Sequence, residues 1–272
     1  MPDDDHHRGL HFDLGTLMHR RTALGLGAVA LGGVALLAGR GFGGEANVTG
    51  TAADGTMCLR DPVETSGPYP ADGTNQKNGT TLNALTQSGI LRSDMRTSFG
   101  DMSGTAEGVD LRLVLALVDT GAACGPLAGH AVYIWHCNNA GHYSLYDVAD
   151  QNYLRAVGIT DAAGKVRFTT FVPGCYDGRW PHMHFEVFTD TAHAVSGDKA
   201  LLTSQIALPQ AEAAALYAAD AHYAASVANL AATSLAGDNV FGDNTPEQLA
   251  VQTLKMTGDP VAGYDGAVVI GL

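Results

Sequence analysis

The sequence predicts an all-β protein: an antiparallel β-sandwich core with an N-terminal export signal and a C-terminal helical and loop extension. Three observations predict it. Leu111, Leu113, Leu115 and Leu117 alternate with Arg112, Val114, Ala116 and Val118, the period of a strand. Further short apolar runs at 131–137, 166–171, 182–188 and 203–208 are separated by turns containing Gly and Asp. After them, Pro209 opens a run rich in Ala and Leu over 210–219, and Pro suits the first position of a helix.

In chain order, residues 1–17 are polar, and Arg20-Arg21 precedes an uncharged run over 22–39. A basic pair before a mildly apolar segment reads as an export signal of the twin-arginine type. An uncleaved membrane anchor is the competing reading. The run is 18 residues long, near the minimum for a span, and its five glycines make it a poor permanent one. The expected division is a signal and linker over 1–45 and one domain over 46–272. The Gly-, Thr- and Ala-rich stretch 41–57 reads as linker, and the polar stretch 71–88 as loop.

The strand at 111–118 is apolar on both faces and is expected to be buried on both sides. Residues 221–235 either extend the helix or form a surface excursion, and 268–270 reads as a closing strand. Cys58, Cys124, Cys137 and Cys175 permit two disulfides in an oxidising compartment. Cys137 and Cys175 lie near the candidate ligands in sequence, which favours pairing Cys58 with Cys124.

The chain of 272 residues has a formal charge of −13, which argues against nucleic acid as a partner, because phosphate binding needs clustered Lys and Arg.

The chemistry concentrates in Tyr143 and in Tyr176-Asp-Gly-Arg179-Trp-Pro-His182-Met-His184. In a strand, His182 and His184 point to one side, with Glu186 further along it, while Met183, Phe185 and Val187 take the core side. Two phenols and two imidazoles suit a hard, highly charged ion such as Fe(III). A free phenol titrates near about 10, and a trivalent ion beside it favours the phenolate. Spacing alone does not separate Tyr143 and Tyr176 from Tyr133, Tyr146 and Tyr153. Arg179, three residues before His182, is either an ordinary surface cation or a group that stabilises negative charge developing on a substrate. Gln205 either meets a substrate oxygen or caps a strand edge.

These residues carry a resemblance. Val132-Tyr-Ile-Trp-His-Cys137 followed by Gly141-His-Tyr143-Ser resembles the strand and ligand turn of intradiol ring-cleavage dioxygenases. So do Thr160-Asp161-Ala-Ala-Gly164, Pro173-Gly174-Cys-Tyr176 and Gly178-Arg179-Trp-Pro-His182-Met-His184-Phe185. Glu64-Thr-Ser-Gly67-Pro68-Tyr69 resembles the N-terminal motif, and Arg92-Ser-Asp94 and Gln205-Ile206 fall in order. The likeness spans roughly 58–208 and is greatest to exported bacterial members, which implies a periplasmic or extracellular location.

The resemblance implies one non-haem Fe(III) held by Tyr143, Tyr176, His182 and His184. Tyr143 and His182 would be equatorial, Tyr176 and His184 axial, and Tyr176 the ligand that leaves. Arg179 and Tyr176 take the catalytic roles, and Gln205, Pro68 and Tyr69 line the substrate pocket. The implied reaction joins O2 to a catechol-type diol bound through both oxygens. Oxygen inserts between the two hydroxyl-bearing carbons to give an anhydride, then a cis,cis-muconate-type diacid, with no organic cofactor. Departures from the family pattern are Arg155-Ala156-Val157-Gly158, Cys175 beside the ligand tyrosine, and Trp180, which is expected at the substrate entrance. The competing readings are a non-catalytic metal-binding β-sandwich module and a different His-x-His metal oxygenase that draws on His193 or His222.

Overall fold

A computed structural model describes residues 49–51 and 57–272. The signal and linker read at 1–45 lie outside the described residues. Two short strands come first, β1 (Thr49–Thr51) and β2 (Met57–Leu59), paired antiparallel, so the expected linker holds strand where it is described. The expected loop at 71–88 holds a hairpin, β3 (Asp72–Lys77) and β4 (Thr80–Asn83). Asn78 and Gly79 between them both have positive φ, the turn whose twist matches that of paired strands. That Asn-Gly signal was present in the sequence inside a stretch whose polarity reads as loop.

The larger elements follow as β5 (Asp110–Asp119), β6 (Gly125–Pro126), β7 (Ala131–Trp135) and β8 (Arg155–Ile159). After them come β9 (Lys165–Phe171), β10 (His182–Phe188) and β11 (Leu202–Ala207). Three helices, α1 (Gln210–Ala219), α2 (Ala224–Ala232) and α3 (Pro246–Gln252), lead to β12 (Lys255–Asp259) and β13 (Gly263–Gly271). The fold is therefore mostly strand with few helices.

One sheet has the order β11-β10-β7-β8, and all its pairs are antiparallel. The other runs β12-β13-β5-β6, with β9 also on β5. Its β13 lies parallel to β5, unlike the antiparallel pairing expected throughout. A parallel neighbour needs a long connection, and the chain between β5 and β13 runs through β6 to β12 and the helical segment. The closing strand is accordingly longer than the expected 268–270.

Inner side chains of both sheets share one core, with Leu111, Leu113, Leu115 and Leu117 packed among Val132, Ile134, Met183 and Phe185. Each fully buried side chain of this kind contributes about 1.5–3 kcal/mol. The outer face of β5 differs from expectation: Arg112 is exposed, and Val114 and Ala116 are only half-buried. Arg112 pairs there with Asp265 of β13 at the surface. Helix α3 escaped the pattern reading because it is short, yet it carries its start signal: Thr245 and Gln248 form a capping box around Pro246. Among the described residues, no helix is long and apolar enough to cross a membrane.

Cys58 and Cys124 form the expected disulfide, and Cys137 and Cys175 are buried free thiols. Cys58–Cys124 closes a loop of 66 residues, so Cys58→Ser with Cys124→Ser should cost about 3–4 kcal/mol. Chemical denaturation of the double variant under oxidising conditions checks this.

The C-terminal strand is latched by Asp61, whose backbone N–H donates to Gly271 O and whose Oδ2 accepts from Gly271 N–H. Burial pushes the Asp61 carboxyl up to about 7. With the unfolded value near 4, its stabilisation is complete below about pH 4 and is lost as pH rises through 7. Asp61→Asn should therefore stabilise the protein at pH 8, by up to about 4 kcal/mol, and change little at pH 4. Urea unfolding at both pH values tests it; a difference that does not vary with pH would contradict the assignment.

Candidate metal centre and active site

Strand β10 lies between β7 and β11, so each of its residues has partners on both sides. His184 is registered opposite Trp135 on one side and Gln205 on the other. Met183, Phe185 and Val187 point into the core, which turns His182 and His184 to the opposite face. Their Nε2 atoms meet at 3.0 Å. The His182 Nδ1 atom lies 2.5 Å from Trp180 O. A carbonyl only accepts, so Nδ1 carries the proton and His182 Nε2 presents a lone pair. His184 stacks on Trp135, with ring centres 5.0 Å apart. Glu186, further along that face, meets Thr203 instead.

The tyrosines arrive on loops. Tyr143 sits between β7 and β8, where its N–H donates to Asp147 Oδ2 and its carbonyl accepts from Asp147 and Val148. Tyr176 sits between β9 and β10. Gly141 lets the two loops close: it holds a positive φ, and a Cβ there would lie 2.9 Å from Tyr176 Cβ. Tyr176 Oη lies 3.2 Å from His182 Nε2. The rings of Tyr143 and Tyr176 are 6.0 Å apart and edge-on, and those of Tyr143 and His184 are 6.2 Å apart. The four side chains singled out in the sequence therefore converge. The competing phenols are engaged elsewhere: Tyr133 donates to Pro70 O, Tyr146 to Asn75 Oδ1, and Tyr153 accepts from Asn138 Nδ2.

The donor chemistry fits a cation. Tyr143 Oη is buried and satisfies no hydrogen bond. Burial, then the neighbouring Tyr176 phenol, hold the Tyr143 phenol well above its ordinary titration range. Burial, followed by the charge of Arg179, holds His182 well below the usual imidazole range, and burial then His182 do the same to His184. A positive ion held among these two imidazoles and two phenols would favour the phenolate forms. Among the described residues, no group of three His, Cys, Asp or Glu side chains offers a rival site. His193 and His222 take no part, since each bonds a local aspartate at the exposed surface, Asp190 and Asp220.

Arg179 is almost fully buried and is gripped from two sides. Its Nε donates to Asp238 Oδ2 at 2.9 Å, and its Nη2 to Gln205 Oε1 at 2.7 Å. Gln205 Nε2 donates in turn to Thr65 O, so both ends of that amide are held by protein. Tyr69 packs its ring against Tyr143 at 4.9 Å and Tyr146 at 5.0 Å, and Pro68 O accepts from Asn75 Nδ2. Trp180 does not line an entrance. It is buried with Val240 and Phe241, and its Nε1 donates to Leu208 O. Apolar area drives that ring inward, and the C-terminal segment supplies the cover.

Two residues that matter here escaped sequence reasoning as site residues. Asp238 lies 59 residues after Arg179, and no spacing links them. Arg155 stood out only as the start of a departure from the family pattern. It is buried, and its guanidinium joins three segments: it donates to Tyr69 O, Pro70 O, Tyr133 Oη, and both Ser144 O and Oγ.

Comparison with known proteins agrees with this geometry. Residues 92–195, which carry Tyr143, Tyr176, Arg179, His182 and His184, match the family model described as Dioxygenase. No curated protein matches the sequence in a direct comparison. Among solved structures, the intradiol ring-cleavage dioxygenase from Tetranychus urticae is similar, with 20% identity, 79% of this chain and 94% of that chain covered, and a TM-score of 0.58. The dioxygenase domain of a dioxygenase carbohydrate-binding protein fusion from Streptomyces sp. SirexAA-E is 20% identical. That match covers 74% of this chain and 97% of that one, with a TM-score of 0.42. The chain thus shares the fold of the Tetranychus urticae protein, and the family model matches it over residues 92–195.

Arg155→Met would leave several buried oxygens without donors, at about 1–3 kcal/mol each, so a loss of about 3 kcal/mol or more is expected. Arg155→Lys should recover only part of it, because an ammonium cannot reproduce the fork. Denaturant midpoints of the two variants measure both.

Proposed function

We propose that this chain, a dioxygenase-family member over residues 92–195, is a non-haem Fe(III) enzyme. It cleaves catechol-type aromatics with O2 between the two hydroxyl-bearing carbons, giving cis,cis-muconate-type diacids. One observation carries the reading. His182 Nε2 lies 3.2 Å from the oxygen of Tyr176 and 3.0 Å from His184 Nε2, and the Tyr143 oxygen in the same cluster is buried without a hydrogen-bond partner. Tyr143, Tyr176, His182 and His184 would hold the ion.

When bound, Fe(III) would draw electron density from a chelated diolate and make its ring carbons reactive towards O2. The protein supplies the rest. Tyr143 is fully buried while Tyr176 is half-buried, so Tyr176 is the phenol that can swing away. Its oxygen then takes a proton from the arriving diol, which keeps the charge of the site nearly constant. Arg179 stabilises negative charge that develops on the ring, where a buried cation acts most strongly. Gln205 holds Arg179 on the side of His184. Tyr69 and Pro68 form the wall beside Tyr143. The core of two facing sheets is read as a β-sandwich, with the helical segment after β11 as its extension.

We place the enzyme outside the cytoplasm, exported by the twin-arginine route. The Arg20-Arg21 pair before an uncharged run supports this, as does the Cys58–Cys124 disulfide, which persists in oxidising compartments. Membrane contact would come only through the leader, and the charge of −13 speaks against nucleic acid.

The iron-loaded protein should be red-brown, with a visible phenolate-to-iron charge-transfer band, and should consume O2 with at least one of a panel of catechols. Tyr143→Phe should weaken the band and lower turnover by at least about 100-fold. Absorption spectra, oxygen uptake and product identification are the measurements. A colourless protein that holds one tight zinc, with no oxygen uptake on any catechol, defeats the reading.

A further inference from the structure

The residue that organises this site comes from outside the ligand motif. Asp238 follows a short 3-10 turn, Leu235–Gly237, in the segment between α2 and α3. Its side chain is fully buried, as is that of Arg179 within 2%. Oδ2 accepts from Arg179 Nε at 2.9 Å and from the backbone N–H of Trp180 at 2.7 Å. Oδ1 accepts from the backbone of Val240 at 2.8 Å and of Phe241 at 3.1 Å, with Arg179 Nη2 at 3.4 Å. A buried carboxylate that receives this many donors is fixed in place, because each of its lone pairs is used.

Two paths lead from Asp238 to the ligands. The first runs through Arg179, whose Nη2 reaches Gln205, the residue registered directly opposite His184. The second runs through the backbone of Trp180. Its N–H is held by Asp238, and its carbonyl, in the next peptide unit, accepts the proton of His182 Nδ1. The same segment carries Phe241, which meets the His182 ring edge-on with centres 6.5 Å apart and shares an apolar cluster with Trp180. Residues 238–241 thus reach the arginine, the loop and one histidine together.

We propose that Asp238 is the positioning residue of this site: one buried carboxylate on the C-terminal segment fixes both Arg179 and Trp180, the residue whose carbonyl orients His182. The proposal rests on the catechol-cleaving reading for its kinetic consequence only. The guanidinium of Arg179 has two of its nitrogens taken by Asp238 and Gln205, which leaves it no freedom to turn from the ligand cluster. A carboxylate at this point also compensates a buried cation in a dry site, where an uncompensated one is costly. Gln205, being neutral, supplies direction but no charge.

The test uses Arg179→Ala and the double variant Arg179→Ala with Asp238→Asn, neither of which strands a cation. Guanidinium chloride at millimolar concentration is the probe, because it fills the space of the missing group. Isothermal titration of the metal-free proteins should show guanidinium binding to Arg179→Ala and at least about tenfold weaker binding to the double variant. In the iron-loaded proteins, guanidinium should restore catechol-dependent oxygen uptake to Arg179→Ala and not to the double variant. Asp238→Asn alone should lower kcat by at least about tenfold with little change in KM, and Asp238→Glu should recover part of it.

If Asp238→Asn does not fold, the pair of Ala variants still decides the matter. Equal guanidinium affinity in the two metal-free proteins overturns the proposal. So does a folded Asp238→Asn enzyme whose kcat stays within about twofold of the parent. Inactivity of the parent enzyme on every catechol would defeat the reaction assignment instead, and the guanidinium titration would still judge Asp238.

Discussion

The placement of β10 between β7 and β11 is the constraint on which the site depends. Its odd-numbered side chains, Met183, Phe185 and Val187, are committed to the shared core. Because strand side chains alternate, that commitment turns His182 and His184 to the other face, and neither histidine can rotate away without pulling an apolar group from the interior. Pairing on both sides also fixes the height of each residue, so that Trp135, His184 and Gln205 form one row across three strands. The loops that carry Tyr143 and Tyr176 add to a scaffold whose register the core has already decided.

The loops contribute what the sheet cannot. Tyr143 and Tyr176 come from separate connections, and they approach because Gly141 leaves room at the backbone. Arg155 ties the Tyr143 loop to the segment of Tyr69 and Pro70, so that both share one buried cation. Burial gives the cluster its chemical character. The Tyr143 phenol resists ionisation and the two imidazoles resist protonation, chiefly because all three are buried.

Much of this was legible in the sequence. The five strand runs are all present, the helix over 210–219 has the expected bounds, and the four candidate ligands converge. Period and motif carried that far because both are local. What failed was non-local or masked by composition. The parallel pairing of β13 with β5 depends on a connection through three helices, which no window of residues reveals. The hairpin at 72–83 was hidden by polarity, although Asn78-Gly79 marks it. Trp180 reads as a loop aromatic until Val240 and Phe241 close over it. Asp238 offers no pattern at all, because its meaning lies in a partner brought to it only by the fold.

The latch at Asp61 has a topological meaning. Asp61 and Gly271 exchange backbone and side-chain hydrogen bonds, and Thr120 donates to the carbonyl of Leu272. The beginning and the end of the folded body therefore meet at one point, and the architecture is almost a closed ring. Joining residue 272 to residue 57 by a short linker would keep the interior intact, and the chain could be reopened at the exposed turn of Val261 between β12 and β13.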